Sequence, residues 1–285
     1  MPTRRTPEPL AAARYDSLVL HVPANGADHL LSVSVALART FGARLIGVGA
    51  QRFETPVLAH PDGGFVTARV VEDLEALAQA DLARAEEVFR VATAGLETEW
   101  RTARLAPAYA VSRAARDADL IVAVAAGGDA ASAHHADAAD LVMASGRPVL
   151  VAPPGAVQLE ARRIIVAWKD GREARRAVAD ALPLLLRAEE VLVEAVCGED
   201  GRRPEMDTEV AAVAANLARR GVRARGEVAV TDAPAAEQLD ISAAALGADL
   251  IVAGAYGHSR TSEWAFGGVT RDLLRDPRRF VLLSH

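Results

Sequence analysis

The chain has 285 residues, 51% of them hydrophobic, and 32 Lys+Arg against 38 Asp+Glu give a net charge of −6. That is apolar material for more than one core, and the acidic surplus speaks against a nucleic-acid binder, which needs a basic face to neutralise phosphates. A single cysteine, Cys197, permits no internal disulfide and fits a reducing compartment.

The opening MPTRRTPEPL carries three prolines and no apolar centre, so residues 1–14 read as a flexible tail, neither signal peptide nor span. No apolar run reaches the ~18 residues of a membrane helix; a cytoplasmic protein with no membrane partner is expected. SLVLHV (17–22) is a run of strand length, followed by a helical pattern through Leu30, Val33, Leu37, Ala38 and Phe41. ARLIGVGA reads as a second strand. A longer helix follows, with Leu74, Leu77, Ala78, Leu82, Ala85, Val88 and Phe89 on its apolar face. The weaker strand ETEWRTA leads to a helix opened near Pro107, where proline suits a first turn. ADLIVA (118–123), one more helix and RPVLVAP complete the series.

Proline and glycine in PPGAVQLEAR then interrupt the pattern, and the series repeats. RIIVAW (163–168) matches SLVLHV, and Ala174, Ala177, Val178, Ala181, Leu182 and Leu185 form the next helical face. EEVLVEAVC, a helix through Val210, Val213, Ala214 and Leu217, RARGEVAV, a helix opened near Pro234, a second ADLIVA (248–253), a last helix and RRFVLLSH follow in the same order. The chain is an internal duplication. Each half alternates β-α-β-α-β-α-β-α-β, the signature of a parallel sheet with helices on both faces. The fold class is α/β, two tandem five-stranded parallel-sheet domains of Rossmann-like kind: a first domain over 15–154, a linker over 155–162 and a second domain over 163–285. Residues just after the first and fourth strands of each half are expected to line a crevice at the switch in strand order.

After the fourth strand of the second half the sequence reads GAYGHSRTSEWAFGGVTRDLL (254–274). Gly254 and Gly257 lack Cβ atoms, which lets backbone N–H groups approach an anion. Gly267, Gly268, Val269 and Thr270 open a helix whose unpaired N–H groups and dipole favour phosphate. The competing interpretation is a tight strand-to-helix turn without a ligand. With its place after the fourth strand, the Gly254-x2-Gly257-x9-Gly267 spacing resembles the universal stress protein family, over nearly the whole chain as two tandem copies. The resemblance implies the adenine nucleotide alpha-hydrolase-like fold and a site for ATP or AMP, with or without Mg. It implies that the glycines wrap phosphates and ribose, while the residues after the first and second strands, here Trp168, Lys169, Asp170 and Val196, hold adenine. It further implies a stress-response regulator without dedicated catalysis; a slow ATPase, or a scaffold or small-molecule carrier that binds no nucleotide, are the alternatives.

Two positions depart from the family pattern. Gly268 stands where the family has Ser or Thr, removing a hydroxyl worth roughly 0.5–1.5 kcal/mol if it bonded phosphate. Lys169, the only lysine, stands where the acidic residue is expected, with Asp170 next to it. His258 and Arg260 lie in the glycine stretch, within reach of a terminal phosphate or on an exposed loop. The first half has lost the pattern: Val124 replaces the first glycine although Gly127 remains, and Asp137 and Asp140 stand near the helix start, where a carboxylate caps the helix but repels phosphate. One working site, in the second half, is expected.

No catalytic or metal residues are assigned. Adjacent His134 and His135, with Asp137, form the only metal-like cluster, but neighbouring helical side chains diverge and a full site needs ligands from elsewhere. Cys197 ends a strand with no base partner, and Ser112 and Ser242 lie in helical patterns without a triad. The closing strands RPVLVAP and RRFVLLSH, which would otherwise be open edges, are expected to pair within the chain about a pseudo-two-fold axis, making an intramolecular pseudo-dimer; a homodimer is a further option.

Overall fold

The structure, a computed structural model, describes residues 13–24, 28–51, 68–125, 135–199, 203–256, 268–275 and 277–285. The first half runs β1 (Ser17–His21), α1 (Asp28–Phe41), β2 (Arg44–Ala50), α2 (Ala68–Ala92), β3 (Thr98–Ala103), α3 (Pro107–Ala114), β4 (Leu120–Val124), α4 (Ala138–Ser145) and β5 (Val149–Ala152). The second runs β6 (Arg163–Ala167), α5 (Arg172–Asp180), α6 (Leu182–Leu185), β7 (Glu190–Cys197), α7 (Arg203–Arg219), β8 (Ala224–Val230), α8 (Ala235–Leu246), β9 (Leu250–Gly254), α9 (Gly268–Arg275) and β10 (Phe280–Ser284).

Among the described residues all strands join one ten-stranded sheet, ordered β3-β2-β1-β4-β5-β10-β9-β6-β7-β8. Within each half every pairing is parallel. At the centre β5 and β10 pair antiparallel, with Val281 opposite Val151, Leu282 opposite Leu150 and Leu283 opposite Val149. The pairing expected of the closing strands is therefore present, and it removes both inner edges. Leu150 and Leu282 are fully buried there, and burying a leucine side chain contributes about 1.5–3 kcal/mol.

Two apolar layers cover the sheet. One holds the buried faces of α1, α2, α5, α6 and α7; the other holds those of α3, α4, α8 and α9. The inner strands are apolar on both faces because both are covered. The outermost strands, β3 (TEWRTA) and β8 (ARGEVAV), are partly exposed, which is why their sequence pattern is weak.

Three local features differ from the sequence expectation. Leu74 and Leu77 of α2 are exposed, and only Ala85 and Phe89 of its expected face are buried. The 25-residue helix is about 37 Å long at 1.5 Å per residue, against about 23 Å for the seven residues of β2, so its first turns overhang the sheet. The single helix expected over 174–185 is two: α5 ends at Asp180 and Pro183 sits in the first turn of α6, a position where its missing N–H costs nothing. Pro107 is inside the first turn of α3, whereas Pro234 is the residue capping α8.

Asp137 caps α4 as expected, its Oδ1 accepting from the backbone N–H groups of Ala139 at 2.8 Å and Asp140 at 3.1 Å. Asp137→Ala removes the acceptor for both donors and should cost about 1 kcal/mol; equilibrium denaturation of the two proteins measures it, and an unchanged midpoint would remove the cap from the account.

Candidate functional site

Strand order reverses between β1 and β4 in the first half and between β6 and β9 in the second. Chain leaving two neighbouring strands toward opposite faces opens a crevice at their carboxyl ends. Around the second crevice stand the residues after β6, the end of β7, the end of β9 and the start of α9.

Lys169 and Asp170 are exposed. Asp170 is engaged, its Oδ1 accepting from Arg175 Nη2 at 2.6 Å. Trp168 points elsewhere: its backbone N–H donates to the Glu194 carbonyl at 2.7 Å, and its side chain is buried in the core layer with Ala174, Ala177 and Cys197. Val196 is half-buried on the opposite face, packed with Ala167 against the other layer. In α9, Gly268 is exposed, Val269 half-buried and Thr270 buried. Gly257, His258 and Gly267 lie outside the described residues, as does Arg260.

Gly254 is described, and its surroundings give it a packing role. A Cβ there would lie 2.5 Å from the Ala174 nitrogen and 2.6 Å from the Glu173 carbonyl carbon. The end of β9 thus touches the first turn of α5, and only glycine fits. The next residue but one, Tyr256, has φ +58, a left-handed conformation rare outside glycine, asparagine and aspartate. Asp137 and Asp140, at the start of α4, add to the burial that raises the Tyr256 phenol above its ordinary range. Tyr256 therefore lies within electrostatic reach of the capped helix of the other half.

Among the described residues, two buried carboxyl groups and one buried imidazole escaped the sequence reading. Glu173, in the first turn of α5, is buried; burial pushes its carboxyl up, but Arg172, its own backbone N–H and nearby His285 outweigh that and hold it below the usual range. His285 Nδ1 in turn lies 3.0 Å from the Ala255 carbonyl oxygen. Glu194, on β7 beside Ala167, is buried, and Ser242 donates to its Oε1 at 2.6 Å while Oε2 has no partner. Burial raises the Glu194 carboxyl, against the lowering pull of Ser242. His21, ending β1, is the third. A polar residue inside an otherwise apolar strand run, as in SLVLHV and VLVEAVC, was the available signal for Glu194 and His21.

Among the described residues no three His, Cys, Asp or Glu side chains stand together as a metal cage, and no helix is long and apolar enough to cross a membrane. Cys197 is a free, buried thiol. A groove of about 570 Å³ runs between α8 and α9, past Asp240, Ile241, Leu273 and Arg279. Among the described residues it includes neither Gly254 nor Gly268 and none of the residues after β6.

The class this defines is a fused pair of doubly wound α/β units sharing one sheet, each with a crevice at its switch point. No protein-family model and no curated protein matches the sequence. Solved structures do match the fold. A universal stress protein from Archaeoglobus fulgidus DSM 4304 is 12% identical with a TM-score of 0.68, over 94% of this chain and 95% of that one. A candidate universal stress protein from Pseudomonas aeruginosa UCBPP-PA14 is 15% identical with a TM-score of 0.60, over 95% of this chain and 93% of that one. The chain has the fold of the tandem universal stress proteins.

Proposed function

We propose that this chain is a tandem universal stress protein that binds an adenine nucleotide, ATP or AMP, in its C-terminal half, and that it acts as a ligand-responsive regulator without dedicated catalysis. The observation that carries the reading is one coincidence of sequence and topology. The Gly254-x2-Gly257-x9-Gly267 spacing begins on the last residue of β9, at the switch point beside β6, and leads into a helix that opens at Gly268. A helix start at the carboxyl end of such a sheet offers unpaired N–H groups to an anion. Val196 supplies apolar surface on the same side for a base. The domain limits 15–154 and 163–285, and one working site, belong to this reading.

A second reading, a scaffold or carrier that binds no nucleotide, draws on Gly254 and Asp170. The first has a packing reason for being glycine, and the second is held by Arg175. Native mass spectrometry of the purified chain with added ATP or AMP separates the two. One equivalent is expected to bind, Gly257→Asp to abolish binding by putting a Cβ and a carboxylate in the phosphate path, and Gly127→Asp to leave it intact. Absence of a nucleotide complex at millimolar ligand would favour the carrier; loss in Gly127→Asp alone would assign the site to the wrong half.

A further inference from the structure

The first half has its own crevice, and a histidine stands in it. His21 occupies the last position of β1, the place that Ala167 holds in β6. Its side chain is 4% exposed and lies on the α3 and α4 face, the face of Val19 two residues before it. The ring hydrogen-bonds to the Ala50 backbone, and that bond favours protonation, so the ring donates to the carbonyl. Nε2 has no partner; the donor is therefore Nδ1. The ring is held as the Nδ1–H tautomer, with the Nε2 lone pair buried and directed away from Ala50.

A backbone carbonyl holding one ring nitrogen so that the other presents its lone pair is the usual support of a metal-bound histidine. A second imidazole is at hand. His135, two residues before the Asp137 cap of α4, is half-buried and lies with its ring perpendicular to that of His21, centroids 6.5 Å apart. Two imidazoles that share one ion at ~2.0–2.1 Å per nitrogen have centroids roughly 5–6.5 Å apart, and the observed 6.5 Å lies at the upper end of that range. The ligand from a distant part of the chain, missing from the sequence pattern around 134–137, is supplied by β1.

We propose that His21 Nε2 and His135 form an open two-imidazole site for a late first-row divalent metal ion in the N-terminal crevice. Imidazole ligation suits zinc, cobalt, nickel or copper rather than magnesium or calcium. Water or a small exogenous donor fills the remaining positions, and the acidic residues at the start of α4, Asp137 and Asp140, add a favourable field for a cation. The site is independent of any nucleotide in the other half.

The test uses the full chain, stripped with a chelator and titrated with Co²⁺ alone, by visible absorption and calorimetry, followed by competition with Zn²⁺. One equivalent is expected, with charge-transfer and d–d bands of nitrogen ligation. His21→Phe, which keeps ring volume and removes both nitrogens, and His135→Ala should each weaken binding by more than about tenfold, the loss that even an outer-shell partner can bring. His29→Ala, on α1, should leave it unchanged. If His21→Phe fails to fold, His135→Ala and paramagnetic broadening of the His21 ring in the unaltered protein decide the matter. No binding at one equivalent, or binding that neither substitution weakens, overturns the proposal.

Discussion

Gly254→Ala should destabilise the folded chain by roughly 3 kcal/mol, the upper part of the range for overpacking. The added methyl would meet the Ala174 nitrogen at 2.5 Å, the Glu173 carbonyl carbon at 2.6 Å and the Glu173 Cβ at 2.9 Å. Two of these are backbone atoms in the first turn of α5, so no rotamer change relieves the clash; strand and helix must separate, and neighbouring apolar contacts loosen with them. On the scale of a 150–250-residue domain, this corresponds to a fall in melting temperature on the order of 6–12 °C. Gly268→Ala is the matched control, because a Cβ there meets nothing within 4 Å and alanine is the better helix former. Scanning calorimetry of both variants without nucleotide is the measurement. If Gly254→Ala melts with the unaltered protein, the contact with α5 is not what requires glycine, and a ligand-facing role regains ground.

That contact also shows where the sequence is and is not readable. The duplication, the order of elements, the covered faces and the pairing of closing strands follow from local patterns. Each is a property of a run of residues, such as the apolar RRFVLLSH or the two ADLIVA segments. What a run cannot reveal is which other run it touches. Gly254 reads as a ligand glycine because it heads a spaced set, yet the backbone that a Cβ there would meet at 2.5 Å belongs to a helix about eighty residues earlier in the chain. Val124, its counterpart, tolerates a side chain in a half where the connection from β1 to α1 is two residues longer than that from β6 to α5. Trp168 follows a strand, as a base-stacking residue would, but alternation carries its ring to the buried face toward α5. Leu74 and Leu77 continue an apolar stripe past the end of the sheet. Glu194 and His21 are single polar residues inside apolar runs, where periodicity registers only an interruption, and Glu173 sits in the charged run REARR, which reads as a solvated helix start.

The buried histidine makes acid stability the second strong expectation. In the unfolded chain His21 has its ordinary value near 6.5, and in the folded protein about 4. Between those values the unfolded state holds a proton that the folded state does not, so stability rises with pH across that window. The contribution is fully present above pH 6.5, drains away as pH falls through the folded value and is gone below it. At 1.36 kcal/mol per decade of proton affinity the total is about 3 kcal/mol. Two other groups must be kept apart from it. Asp117, held down at about 2 by hydrogen bonds from Arg101, loses its contribution only as pH falls from the ordinary 3.8 toward that value. Glu194 is raised, so its contribution has the opposite sign, present in acid and lost as pH rises through its folded value, and it partly masks His21 in the raw profile. The comparison of the unaltered chain with His21→Phe cancels both. Phenylalanine leaves the Ala50 carbonyl without its donor, a cost that does not vary with pH. In the presence of a chelator, urea denaturation at steps from pH 7.5 to 4 should show the unaltered chain losing about 3 kcal/mol relative to His21→Phe toward the acid end. Parallel curves would mean that the imidazole titrates in the folded state as it does in the unfolded chain, and that the ring is not enclosed between β1 and the start of α4.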